Sequence, residues 1–523
     1  VGIELAQREA GAVRVRLKRA AVALAVASVF VQAPAQAARW TVTPTIRVQE
    51  TWTNNVSLSE DGEEEWDLIT EVEPGFFVRG EGDRLDVTLD YRALGLLYLQ
   101  DWDRNRVDHR FDGKGTYEAV SDFAYLEIGG SATQQFESPF GAQPIDPVSD
   151  TDNRYTAYSY YVAPYLRGRI FGDSTYLLRY SSIWTNADQS SVLSDTRTDQ
   201  YTGRFATPIR TFGLALTYDR NDTSYDDSPQ ELSTEISRAI GYWRLDPQFI
   251  LNARVGYERV ESLFADREED IYGGGFQWFP TPRTSIEAYG ERRVFGTGYL
   301  FSLQHRRPLM TLRARATRDL TTYPQNLFTL REGANLGELF FNHPVYERRW
   351  PDETERLLGI LQLMAEGALP SNWPAGVPFF NQQLQILQRQ EISLALTGAR
   401  NTVTFTVYRL KTESFADEDD PTAVELNTLF GRHIDQRGAS VHWSHRLTGR
   451  TRLNVGLYRT RVKEDEPFRR DSTQHTLRAS VNVRLSPDTT AYVGARHVIF
   501  DADESVFHDY RETAVFVGFT HRF

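Results

Sequence analysis

Along most of the chain, apolar and polar residues alternate with a period of two. In RLDVTLDY, Leu85, Val87, Leu89 and Tyr91 alternate with Arg84, Asp86, Thr88 and Asp90. In FILNARVGYE, Phe249, Leu251, Ala253 and Val255 stand against Asn252, Arg254 and Gly256. Residues 402–408 and 474–485 repeat the pattern, the latter placing Leu477, Ala479, Val481 and Val483 opposite Thr476, Arg478, Ser480, Asn482 and Arg484. Successive side chains of a strand point to opposite faces, so each segment predicts a strand with one apolar and one polar side.

A one-faced sheet in water would alternate too, and the connections separate the two cases. Tight turns rich in Gly, Pro, Asp and Asn, such as residues 80–83, 171–174, 245–248, 280–283, 398–401 and 486–489, alternate with longer acidic stretches at 59–67, 137–153, 221–231 and 415–427. Short turns at one end and long loops at the other are the asymmetry of an outer-membrane barrel. Trp40, Trp52, Trp66, Trp102, Trp184, Trp243 and Trp278 fall near the expected strand ends, where an interface would hold them. The expectation is all-β: a large antiparallel transmembrane β-barrel of about 22 strands, within a range of roughly 18 to 24. The last strand, VFVGFTHRF, reads as the closing strand. Its Gly518, Phe519 and Phe523 form the expected signal to the barrel assembly machinery, while His521 stands where an apolar residue is usual.

One region breaks the rhythm. Residues 320–390 hold no strand pair, and RRWPDETERLLGILQLMAEG predicts a helix, with Pro351 at its start, Asp352 and Glu353 in its first turn and Gly367 as its stop. A connection of this length inside a barrel is outside ordinary loop statistics. Its apolar Leu357, Leu361, Leu363, Phe379 and Phe380 cannot all face water, so the segment is expected to plug or narrow the lumen from the extracellular side.

The N-terminal segment is of another kind. Arg14, Arg16, Lys18 and Arg19 precede an apolar run over residues 20–31, followed by Ala35-Gln36-Ala37. This order is that of a signal peptide over residues 1–37, leaving the barrel at 38–523. Removing its five basic and two acidic residues takes the net charge from −13 to −16, and no basic cluster is visible along the sequence, which argues against a nucleic-acid partner. A mean hydropathy of −0.47 without a long apolar run excludes a bundle of spanning helices. The absence of cysteine excludes thiolate metal sites and thiol nucleophiles.

Several segments resemble the outer-membrane proteins associated with the PEP-CTERM and exosortase system of exopolysaccharide-secreting bacteria. They are TPTIRVQETWTNNVSL (43–58), EVEPGFFVRGEGDRLDVTLDY (71–91), YVAPYLRGRIFGD (161–173), PRTSIEAYGERRVFGTGYLFSLQHRRP (282–308) and LTGARNTVTFTVYR (396–409). The resemblance implies a barrel in the outer membrane of a Gram-negative bacterium, with exopolysaccharide or its export machinery as partner. It supplies no catalytic residue and no cofactor.

The remaining chemistry is sparse. No His-x-x-x-His pair, calcium-loop spacing, Gly-x-Ser-x-Gly elbow or phosphate-cradling glycine loop occurs, so neither a metal site nor an enzyme is expected. Acidic loops bridging to lipopolysaccharide through loosely held cations are the only metal chemistry foreseen. The polar strand faces are the candidate functional surface. Arg84, Asp86, Arg254, Glu258, Glu287, Arg478, Arg484 and Arg496 are expected to line the lumen, as a lattice of ion pairs or as a track for a charged or hydroxyl-rich polymer. The expected role is a channel, or an accessory to one, in exopolysaccharide export or PEP-CTERM protein sorting. A structural or adhesive barrel without transport is the alternative, and an outer-membrane enzyme the third.

Overall fold

A computed structural model of the protein describes residues 39–151, 153–188, 195–226, 228–262, 265–322, 325, 336–365, 369, 384–416, 433–464, 469–503 and 508–523. Twenty-two strands form one sheet. In chain order they begin with β1 (Arg39–Thr53), β2 (Asp67–Glu81), β3 (Leu85–Tyr98), β4 (Arg106–Val120), β5 (Ala124–Phe136), β6 (Arg154–Ile170) and β7 (Ser174–Asp188). Next come β8 (Thr196–Ala206), β9 (Phe212–Tyr225), β10 (Ser228–Asp246), β11 (Phe249–Ser262), β12 (Ala265–Thr281), β13 (Thr284–Arg293), β14 (Gly296–Arg307) and β15 (Met310–Thr321). The ring finishes with β16 (Gln385–Thr397), β17 (Asn401–Ser414), β18 (His433–Arg446), β19 (Thr451–Glu464), β20 (Asp471–Arg484), β21 (Thr489–Ala502) and β22 (Tyr510–Arg522).

Each strand pairs antiparallel with its sequence neighbour, and β22 returns to β1 from Thr45↔Arg522 to Thr53↔Ala514. Closure leaves no edge, the condition for a sheet to sit in hydrocarbon. The alternation read from the sequence sets the two faces. On β22, Val515, Val517 and Phe519 point outward, whereas Glu512, Ala514 and Phe516 are buried inside. Among the described residues no helix is long and apolar enough to cross a membrane; the strands do the crossing. Trp40, Trp243 and Trp278 lie on the outward face toward the short-turn rim, Trp52 and Trp184 toward the long-loop rim, forming two aromatic girdles. Gly273 and Gly275 on β12 allow a close approach to β13. A Cβ at either would lie 2.2 Å from a carbonyl oxygen of that strand.

Among the described residues between β15 and β16 are the helices α1 (Leu336–Phe341), α2 (Pro344–Arg349) and α3 (Glu353–Ala365). Asp352 caps α3, its carboxylate accepting from Glu355 N at 2.9 Å. Leu339, Phe340, Tyr346, Ile360, Leu363 and Leu369 pack together against Ala395 of the wall.

Candidate functional site

The lumen is the site, and two inward segments shape it. The first is the β5–β6 loop, residues 137–153, which leaves one wall and is fastened to the opposite one. Phe140 packs with Ile434 and Val462. Gln143 O accepts from Gln474 at 3.1 Å, while on the loop's own side Pro147 O accepts from Arg106 of β4 at 2.8 Å. At the centre of this crossing, Arg478 Nη1 donates to both oxygens of Asp146 at 3.0 and 3.1 Å, and Arg496 Nη1 donates to the same carboxylate. Arg496 Nη2 also donates to Glu512 Oε1 at 2.6 Å, and Thr53 joins that carboxylate at 2.8 Å. Burial alone would raise the Asp146 carboxyl, but the charges of Arg478 and Arg496 outweigh it and hold this group well below the usual carboxylate range.

The second segment is the connection between β15 and β16. Its ends, near Leu320 and Leu384, join an apolar cluster with Leu232, Val260, Phe295, Ile386 and Phe415 at the long-loop rim. Its helices lie at the other rim: Arg348 Nη2 donates to Pro308 O in the β14–β15 turn at 3.2 Å, and Arg306 pairs with Glu347 at 3.2 Å. His343 precedes α2 fully buried, its Nδ1 accepting from Val345 N at 3.2 Å. Burial pulls its pKa from 6.5 down to about 4. Leu363 is buried and Leu357 half-buried. The Leu361 side chain, Phe379 and Phe380 lie outside the described residues. The described helices sit against the inner wall at the short-turn end, not at the long-loop mouth.

The expected lumen residues divide. Arg254, Glu258 and Glu287 face inward on β11 and β13. Glu258 accepts twice from Arg293 at 2.6 Å, and Arg254 lies 3.4 Å from the Tyr289 ring centre and 3.7 Å from Glu291. Arg238 joins Glu291 at 2.6 Å, and Arg293 reaches Asp319 at 3.0 Å, completing one network over β10–β15. Arg478 and Arg496 belong to the Asp146 centre. Arg484 lies inward at the end of β20, near the short turns, and Asp86 is held by Arg79 through two bonds of 2.9 Å. Arg84 is a correction: it lies in the exposed β2–β3 turn and donates to Ser121 at 3.2 Å, because β3 begins only at Leu85.

Sequence reading missed Asp146, Arg47 and Glu71. Arg47 donates to Tyr492 OH at 2.8 Å and pairs with Glu73 at 3.3 Å, while Glu71 accepts from Thr51 at 2.9 Å. The signal for Asp146 was an acid embedded in the apolar stretch PIDPV, which calls for a buried cation. Gly518 and Phe519 pair with β1 and β21, and Phe523, 73% exposed, packs edge-on against His521 with ring centres 4.6 Å apart. Among the described residues no group of three or more His, Asp or Glu could hold a metal ion.

No family model matches the chain, and no curated protein matches it in sequence. Solved structures do match. The siderophore receptor PirA from Acinetobacter baumannii aligns with a TM-score of 0.50 at 9% identity, over 92% of this chain and 80% of the receptor. This is an outer-membrane β-barrel. The FrpB iron transporter from Neisseria meningitidis aligns with a TM-score of 0.46 at 9% identity, covering 92% and 82%. OpdO from Pseudomonas aeruginosa gives 0.31 at 10%, covering 92% and 97%. At such identities the likeness is one of fold alone.

Proposed function

We propose that the protein is a narrow outer-membrane channel, or the barrel of an export assembly, that passes a charged or hydroxyl-rich chain. The observation that carries this reading is the latched β5–β6 loop. A polar lumen crossed by a loop and fastened by Asp146 to Arg478 and Arg496 is built to restrict passage to extended solutes. The inner networks around Glu258, Glu291 and Glu71 supply alternating charges, and Tyr492 lies among them as a flat face for sugar rings. The PEP-CTERM resemblance implies a barrel encoded near exopolysaccharide and exosortase genes, which makes exopolysaccharide export the setting of this proposal and PEP-CTERM protein sorting its related role.

A shut, structural barrel is the competing reading, favoured by how completely these inner charges are paired. Planar bilayers separate the two. A channel gives small, stable conductance steps that acidic or neutral oligosaccharides block in a concentration-dependent way. Folded protein that inserts and gives no steps supports the structural barrel. Loss of surface polysaccharide in a deletion strain, restored by the intact chain, tests the cargo separately.

A further inference from the structure

We propose that the outward face of β17–β19, above the apolar belt, binds the phosphate groups of lipopolysaccharide in the outer leaflet. The sequence shows no basic cluster because its members are spread over more than fifty residues; strand register assembles one. Arg409 lies directly opposite Arg437, and Arg437 directly opposite Arg461, placing three guanidinium groups side by side on adjacent strands. Like charges directly opposite each other destabilise a sheet. Such a row persists where something anionic covers it.

The next row toward the long loops alternates Lys411, Asp435, Lys463 and Asp471. Asp435 accepts from Arg409 at 2.6 Å and from Arg437 at 2.7 Å, and Asp471 accepts from Arg461. These two carboxylates orient the three guanidinium groups without matching them. Among the described residues, with Arg459, six cations meet Glu413, Asp435 and Asp471 on this face and Asp503 beside Arg461, an excess that runs against the chain's net charge of −13.

Position decides what that excess meets. One outward step toward the short turns, the same strands carry Val407, Ala439 and Arg459, and the next row is Phe405, Val441 and Leu457. The wall therefore changes from an apolar row to a row of cations within two steps. The Arg437 and Arg461 side chains are 61% and 50% exposed. At that height, on the long-loop side, the surroundings of an outer-membrane barrel are glycolipid head groups. Arginine pairs forked by a carboxylate suit their phosphates. The far wall differs: Glu235, Glu261, Asp266, Glu268 and Asp270 crowd the outward faces of β10–β12 around Arg259. The patch is one-sided.

The test uses the full chain purified in detergent and titrated with three lipids: bisphosphorylated lipid A, lipid A stripped of both phosphates, and phosphatidylglycerol. Two variants are compared, Arg409→Gln/Arg437→Gln/Arg461→Gln and, on the acidic wall, Arg259→Gln. The unaltered protein and Arg259→Gln should bind bisphosphorylated lipid A about tenfold more tightly than the other two lipids, with the preference shrinking as salt rises. The triple variant should lose that preference while keeping the heat-modifiable gel mobility of a folded barrel. Should it fail to fold, the three-lipid comparison on the unaltered protein decides alone. Equal binding of the three lipids, or an unchanged preference in the folded triple variant, overturns the proposal.

Discussion

Arg478 Nη1 donates to Asp146 Oδ1 over 3.0 Å although 332 residues separate the two in sequence. The bond joins the β5–β6 loop to β20 across the lumen, with Arg496 holding the same carboxylate from β21. It makes the loop a fixed constriction rather than a surface flap.

Asp146→Asn should release that constriction. The amide removes the charge that both arginines face, while Arg496 keeps Glu512. A cost of about 1.5 to 3 kcal/mol is expected, that of a lost charged hydrogen bond. Bilayer recordings should show larger conductance steps and urea titration a lower midpoint. Unaltered step size in a folded variant would mean that this loop is not the restricting element.

Deleting residues 323–381 with a short Gly/Ser bridge should leave a folded barrel that conducts more than its parent. The ring of strands closes without this segment, and the ends to be bridged lie together at the long-loop rim. Gel mobility reports folding and bilayer current reports the lumen. A folded deletion variant with parental current would assign the helices to a partner instead.

How far the sequence carried this reading depended on whether a feature is local. Strand alternation is local, so the closed ring and its 22 strands were legible from rows such as Leu477, Ala479, Val481 and Val483. The helix after Pro351 was legible from its apolar residues and acidic first turn, and it starts two residues later, at Glu353. The short helices α1 and α2 were not: six residues have too little propensity to declare themselves, and their burial comes from the wall. Pairings such as Arg496 with Asp146, or Arg409 beside Arg437, depend on ring geometry and on register. Period-two patterning fixes which face a residue takes, but not which residue stands opposite.

Val481→Arg should impair insertion by about 2 to 4 kcal/mol if its level is near the bilayer midplane, because the residue points outward between Leu453 and Val493. Asn482, its inward neighbour, is a poor control despite its polar face: it is buried and accepts from Asn454 at 2.9 Å. Gln200→Arg, inward on half-buried β8, is the better one and should be tolerated. Folding yield into vesicles measures both. Matching yields would place Val481 away from lipid.

Removing Phe523 should slow assembly. Its backbone N–H donates to Pro44 O at 3.0 Å, the last bond between the two closing strands, and its ring stands outward over His521. Deletion takes away both the bond and the aromatic anchor. The time course of heat-modifiable mobility should lengthen several-fold; an unchanged course would restrict the assembly signal to Gly518 and Phe519.

Acid should loosen the helical segment, through His343. Its imidazole is buried, with Nδ1 capping α2. Burial lowers its pKa from 6.5 to about 4 against the raising effect of a backbone hydrogen bond at Ala395, with the Arg348 charge acting in the same direction as burial. The undocked segment therefore takes up a proton before the docked one does. Docking is at full strength above pH 6.5 and weakens as pH falls toward about 4, by as much as about 3 kcal/mol. Bilayer current should rise over that window, together with protease access to residues 336–365. His343→Asn keeps an oxygen to cap α2 but has no titrating ring, so its current should stay flat over the same range. A rise of equal size in that variant would move the pH response to another group and leave His343 a packing residue only.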